Sequence, residues 1–98
     1  MTVENYGRYR FRYVKDRASP GKIKVYVEKQ PSYQGRCNNS NTIHRYSGGN
    51  GSPPSICIKN EAKPKSLSQA KSLAHKWANM TDRYIRTGVS ISDQIKRQ

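Results

Sequence analysis

The stretch "RYRFRYVK", residues 8–15, alternates three arginines, Arg8, Arg10 and Arg12, with three rings, Tyr9, Phe11 and Tyr13. Guanidinium groups at every second position suit one chemistry above others, because each offers a planar fork of donors to phosphate or carboxylate oxygens. The rings add the ability to stack on flat partners such as bases. Residues able to make or break bonds are thinner. His44 and His75 are the only histidines, Cys37 and Cys57 the only cysteines, and no C-x-x-C pair occurs. Zinc would have to take all four, at spacings that match no common zinc module. Glu4, Asp16, Glu28, Glu61, Asp82 and Asp93 are scattered singly, whereas a metal nuclease needs clustered carboxylates. "SGGNGSPP" has neither the lysine nor the following helix of a phosphate-binding loop. A ribonuclease using His44 and His75 is the one enzymatic option, and no orienting group is visible for either. The expectation is a binder with no catalytic residue, no metal and no other cofactor.

The charge says what it binds. Nineteen Lys and Arg face six Asp and Glu, a net +13 in 98 residues. Such a domain repels itself unless a polyanion supplies the counter-charge. Nucleic acid is the first candidate partner, an acidic protein the second, and no small-molecule substrate is expected. No apolar run reaches signal-peptide or membrane-span length, so a cytoplasmic protein with reduced cysteines and no membrane partner is expected.

The elements that must position these groups follow from periodicity. Residues 8–15 alternate with period two, the mark of a half-buried strand. "DRASPGK" supplies a turn at Pro20-Gly21, and "KIKVYVEK" alternates again. Together they read as an antiparallel hairpin. Ile23, Val25 and Val27 form its aliphatic stripe, which Tyr9, Phe11 and Tyr13 match. Arg8, Arg10 and Arg12 then stand beside Lys22, Lys24 and Tyr26 on the open face, with Glu28 the single counter-charge. Lys15 and Lys29 extend the basic surface at the strand ends. Like charges on neighbouring strands repel, a cost that a bound polyanion removes.

Residues 30–55 are rich in Gly, Ser, Asn and Pro and read as a long flexible loop, interrupted at most by a short strand over Thr42 to Ser47. Tyr33, Gln34, Arg36, Asn38 and Asn39 in it are side chains that stack on bases or reach phosphates. "SICIKN", residues 55–60, reads as another strand, with Cys57 a small core residue. A helix is predicted over 67–87. Ser66 and Gln69 form a capping-box pattern and Gly88 a stop. Leu67, Ala70, Leu73, Ala74, Trp77, Ala78, Thr81, Tyr84 and Ile85 fall within an arc of about 140°. Trp77 is central in that stripe and reads as a core anchor. Lys71, His75, Lys76, Arg83 and Arg86 lie on the wet side, where His75 has no visible partner. The tail "VSISDQIKRQ" reads either as a strand through Val89 and Ile91 or as a turn capped by Ser92. The whole, residues 1–98, is predicted as a single α+β domain, an antiparallel sheet of three to four strands with one amphipathic helix packed on one face.

"YGRYRFRYV" is only loosely similar to the RNA-recognition signature, and a helix does not follow the first strand as that family requires. Strand, strand, strand and a helix opening "SLSQAKSLAHKWA" resembles the arm-binding domains of phage integrases, which implies a small DNA-binding domain that lays a three-stranded sheet in a major groove. In size, charge and build the chain also resembles small phage-encoded anti-CRISPR proteins, inhibitors of type I surveillance complexes. That resemblance implies a stand-alone, non-enzymatic inhibitor. Its partners would be guide RNA or DNA within a ribonucleoprotein complex, and the complex's protein subunits. It would contact guide RNA or the target-DNA channel and block target recognition in the host cytoplasm. It is preferred over the integrase-like alternative because the chain starts at Met1 with no catalytic domain to serve and shows no dimerisation helix.

Overall fold

The two alternating runs form β2 (Tyr9–Lys15) and β3 (Ile23–Lys29), antiparallel neighbours in the computed structural model of the chain. The structure describes residues 2–17, 19–37, 40–46, 53–56, 58 and 62–96. Before β2 runs β1 (Thr2–Tyr6), antiparallel to it and joined by the two-residue turn Gly7-Arg8. Gly7 takes a φ of 58° there, the positive value that the first central residue of a tight II′ hairpin needs. Ser40–Ile43 form one helical turn, α1; two short strands, β4 (Arg45–Tyr46) and β5 (Ser55–Ile56), follow. They complete a five-stranded sheet of order β1-β2-β3-β5-β4. The expected three to four strands become five because β1 is added; β4 and β5 fall within the stretches read as strands over 42–47 and 55–60. The fold is α+β, as periodicity predicts.

β1 escapes the pattern because its chemistry is inverted. Its apolar Val3 is 42% exposed, and its inward residues are Glu4 and Tyr6. A polar residue can face the core side when it finds partners. Glu4 Oε1 accepts from the Tyr13 hydroxyl at 2.7 Å and lies 2.8 Å from His75 Nε2.

One long helix, α2 (Leu67–Thr87), covers one face of β2 and β3. The Ser66 hydroxyl accepts from Gln69 N–H at 3.2 Å, and the Gln69 side chain accepts from Lys65 N–H at 2.9 Å. At the other end Gly88, at φ 81°, donates its N–H to Tyr84 O, the left-handed stop that glycine takes without a Cβ penalty. The core lies between helix and sheet. Tyr9, Phe11, Tyr13, Val25 and Val27 from the strands meet Ala70, Ala74, Trp77, Ala78 and Tyr84 from α2, all buried. The rings of Tyr9 and Phe11 meet the Trp77 ring edge-on at 6.0 and 6.2 Å. The Trp77 indole N–H donates to Ile43 O at 2.9 Å. Trp77 is therefore the anchor its position predicts. Of the stripe, Leu67 alone is exposed, at the first helical position.

The tail forms a third helix, α3 (Ile91–Lys96), with Ile91 and Gln94 buried. Neither tail expectation holds as drawn: no strand forms through Val89 and Ile91, and the cap is Ser90, whose hydroxyl accepts from Asp93 N–H. Ser92 instead hydrogen-bonds His44 Nε2 at 2.8 Å. Cys57 and Asn38 lie outside the described residues, and Cys37 is an exposed free thiol. Among the described residues no helix is long and apolar enough to cross a membrane.

Candidate nucleic-acid interface

The sheet has one face under α2 and one open face, and alternation decides which side chains reach the second. In β2 and β3 it presents Arg10, Arg12, Val14, Lys24, Tyr26 and Glu28. Register places Arg12 opposite Tyr26 and Val14 opposite Lys24. Tyr26 pairs with Ser55 and Ser55 with Tyr46, so Tyr46, 53% exposed, joins this face from the far edge. The three N-terminal rings point the other way: Tyr9 and Tyr13 are each 3% exposed and Phe11 is 0%. Their hydroxyls are satisfied inward, Tyr9 to Asp82 and Tyr13 to Glu4, both at 2.7 Å. Burial first, then the adjacent carboxylate, raises the pKa of both phenols, so they stay neutral donors.

Ion pairing divides the arginines. Arg8 sits in the turn, not on a strand, and its guanidinium reaches to the helix side, 3.2 Å from Asp82. It leaves the stripe in which periodicity puts it. Arg10 and Arg12 share a single carboxylate, Glu28, at 3.2 and 3.5 Å. Two cations on one anion leave a net positive charge on the face. Arg12 also lies over the Tyr26 ring at 5.0 Å, with Lys24 5.1 Å from the same ring, contacts of cation–π geometry.

Four cations meet at the corner where β2 turns into β3. A hollow of about 490 Å³ is lined there by Arg12, Lys15, Arg17, Lys24 and Tyr26, with Val14 and Asp16. Asp16 does not neutralise it, because its carboxylate is drawn to Lys63 Nζ at 2.7 Å. Lys63 also donates to the Ser19 hydroxyl at 3.3 Å. Backbone bonds Asp16 N–H to Lys22 O and Lys22 N–H to Ser19 O close the turn. The loop that carries Lys15 and Arg17 is thus held in shape from a distant segment. Among the described residues no carboxylate pairs with Lys15, Arg17 or Lys24. Arg17 escapes a strand-based reading because it lies beyond the alternation, and Lys15 and Arg17, two residues apart, are out of phase with Arg8, Arg10 and Arg12. Tyr46 has no such signal, since only the pairing through Ser55 brings it to the face.

The remaining candidates separate. Lys29 ends β3 opposite Arg10 and is exposed. Lys22 is half-buried in the turn. Gln34 is exposed in a positive-φ turn. The Tyr33 ring packs 6.1 Å from Tyr84 with Arg45 over it at 5.5 Å, so it serves the protein's own interior. Arg36 serves α2: its Nε donates to Ile85 O at 2.9 Å, which caps the helix C-terminus with a cation. His75 departs from the lone wet-face residue of the sequence reading. Its ring stacks on Tyr6 at 4.0 Å and 7°, and it binds Glu4. Among the described residues no group of three or more His, Cys, Asp or Glu could hold a metal ion.

Comparison with protein-family models, curated proteins and solved structures finds no match for this chain.

Proposed function

We propose that this protein is a non-enzymatic nucleic-acid binder that lays its open sheet face on phosphate groups. We further propose that it inhibits a nucleic-acid-guided complex in the cytoplasm, by covering guide RNA or the channel for target DNA. One observation carries the reading. The corner formed by Arg12, Lys15, Arg17 and Lys24 gathers four cations around one hollow, while the carboxylate within it is turned to Lys63. Arg12 shares Glu28 with Arg10, but the charge of Lys15, Arg17 and Lys24 has no carboxylate partner among the described residues. Like charge so assembled is costly and is relieved by a polyanion. The inhibitor role rests on the resemblance to anti-CRISPR proteins in size, charge and build. The integrase-like alternative draws on β1, β2 and β3, three consecutive antiparallel strands with a helix behind them.

The test is a pull-down of the tagged protein from host lysate, with and without ribonuclease, identifying both protein and RNA. Recovery of a ribonucleoprotein supports inhibition. Recovery of genomic DNA alone, together with sequence-dependent binding to free duplex, supports the integrase-like alternative. The triple change Lys15→Ala, Arg17→Ala, Lys24→Ala is expected to abolish either capture with the fold intact. Unaltered capture would refute the corner as the interface.

A further inference from the structure

We propose that the strand taken by this face is unpaired, with a base stacked at the Arg12–Tyr26 pair and its phosphate in the corner hollow. The proposal rests on reading the face as a nucleic-acid interface and names which form of nucleic acid it accepts.

Tyr26 is half-buried at the centre of the open face, with the guanidinium of Arg12 laid over its ring at 5.0 Å. Glu28 holds that guanidinium from the side. What the pair offers is a flat, cationic platform. The flat faces of a base inside a duplex are covered by its neighbours, and only its edges are open. A splayed base can stack on an aromatic ring or a guanidinium plane. The platform therefore has a use for a single strand and none for a duplex. A second ring lies along the same direction: Tyr26 and Tyr46 flank Ser55 in register, two strand spacings or about 10 Å apart. The hollow beside Tyr26 holds Lys15, Arg17 and Lys24 where the phosphate of a base stacked there would fall.

The width of the sheet points the same way. Five strands side by side span about 19 Å at the usual strand spacing. A major groove is about 12 Å wide and admits a two-stranded ribbon. With β5 and β4 continuing the sheet past β3, the whole face is too broad to enter a groove.

The experiment is fluorescence anisotropy with a short mixed-sequence strand, as RNA and as DNA, and with the duplex of the same sequence, at one low salt concentration. The proteins are the wild type, Tyr26→Leu and Tyr26→Phe, each checked by circular dichroism. A single strand is expected to bind about tenfold more tightly than the duplex, toward the lower end of what one stacked base contributes. Tyr26→Leu should remove about that factor for the single strand and leave duplex binding unchanged, while Tyr26→Phe retains it. RNA and DNA strands binding alike would identify the unpaired base as the determinant, and tighter RNA binding would add the ribose hydroxyl to it. Duplex binding as tight as single-strand binding overturns the proposal while leaving a nucleic-acid interface standing, and so does a silent Tyr26→Leu. Failure of every strand to bind the folded wild type overturns both. Should Tyr26→Leu not fold, the wild-type ratio of single strand to duplex decides alone.

Discussion

A single carboxylate sets the charge of the open face. Glu28 holds both Arg10 and Arg12, and exposed pairs of this kind contribute at most about 1 kcal/mol to stability. Under the proposed function their larger effect would be on binding, because each guanidinium would have to leave Glu28, or carry it along, to meet a phosphate. Glu28→Gln is expected to raise nucleic-acid affinity several-fold at low salt, with the gain shrinking as salt screens it. Stability should change by less than about 1 kcal/mol. Anisotropy titrations and a thermal melt check both. Glu4 acts on the other side of the sheet. Burial pushes its pKa up, but hydrogen bonds from Tyr13 and His75, with the charges of His75 and Lys71, outweigh that and hold it below the ordinary 4.5. A folded-state pKa below the unfolded one gives stability that is full above that ordinary value and lost as pH falls through the folded pKa. Denaturant midpoints measured down the acid range should therefore fall below pH 4.5, and Glu4→Gln should flatten that fall. An equally steep decline in the variant would remove Glu4 as its source.

At the scale of elements, α2 carries the fold and the hairpin corner carries the charge. The helix is closed by Ser66, Gln69 and Gly88 and then fastened to the 30–37 segment by Arg36. A Cβ at Gly88 would stand 2.7 Å from Arg36 Nη1, so the two share one site. Arg36→Ala is expected to cost about 1–2 kcal/mol of stability, from the lost charged hydrogen bond and helix-end interaction, with affinity for nucleic acid unchanged. Chemical denaturation and a binding titration separate those effects; a loss of affinity at full stability would return Arg36 to the interface. Much of this level was legible in the chain. The hairpin, the helix bounds and the inward rings follow from alternation, capping residues and a stripe of about 140°. β1 was not, because Glu4 faces inward and Val3 outward, a reversal that only Tyr13 and His75 justify.

Over the whole molecule, the net charge of +13 means that the proposed binding to nucleic acid would be driven by ion release. Each phosphate contact adds about 0.7 to the slope of log affinity against log salt for a single strand. Replacing Lys15, Arg17 and Lys24 by alanine should therefore lower the magnitude of that slope by about 2, measured across a salt series. An unchanged slope would put the phosphate contacts on another surface, such as the outer side of α2. The sequence by itself determined most of the buried faces of β2, β3 and α2, with Leu67 and His75 the departures in α2, because burial leaves a local period in the chain. Its net charge of +13 is also what motivates the proposal of an anionic partner. Only the tertiary structure decided which cations remain available. Asp82 takes Arg8 across 74 positions and Lys63 takes Asp16 across 47, while Lys15, Arg17 and Lys24 are left around one hollow. Pairing of charges depends on distances between segments far apart in sequence, and no local pattern records those distances.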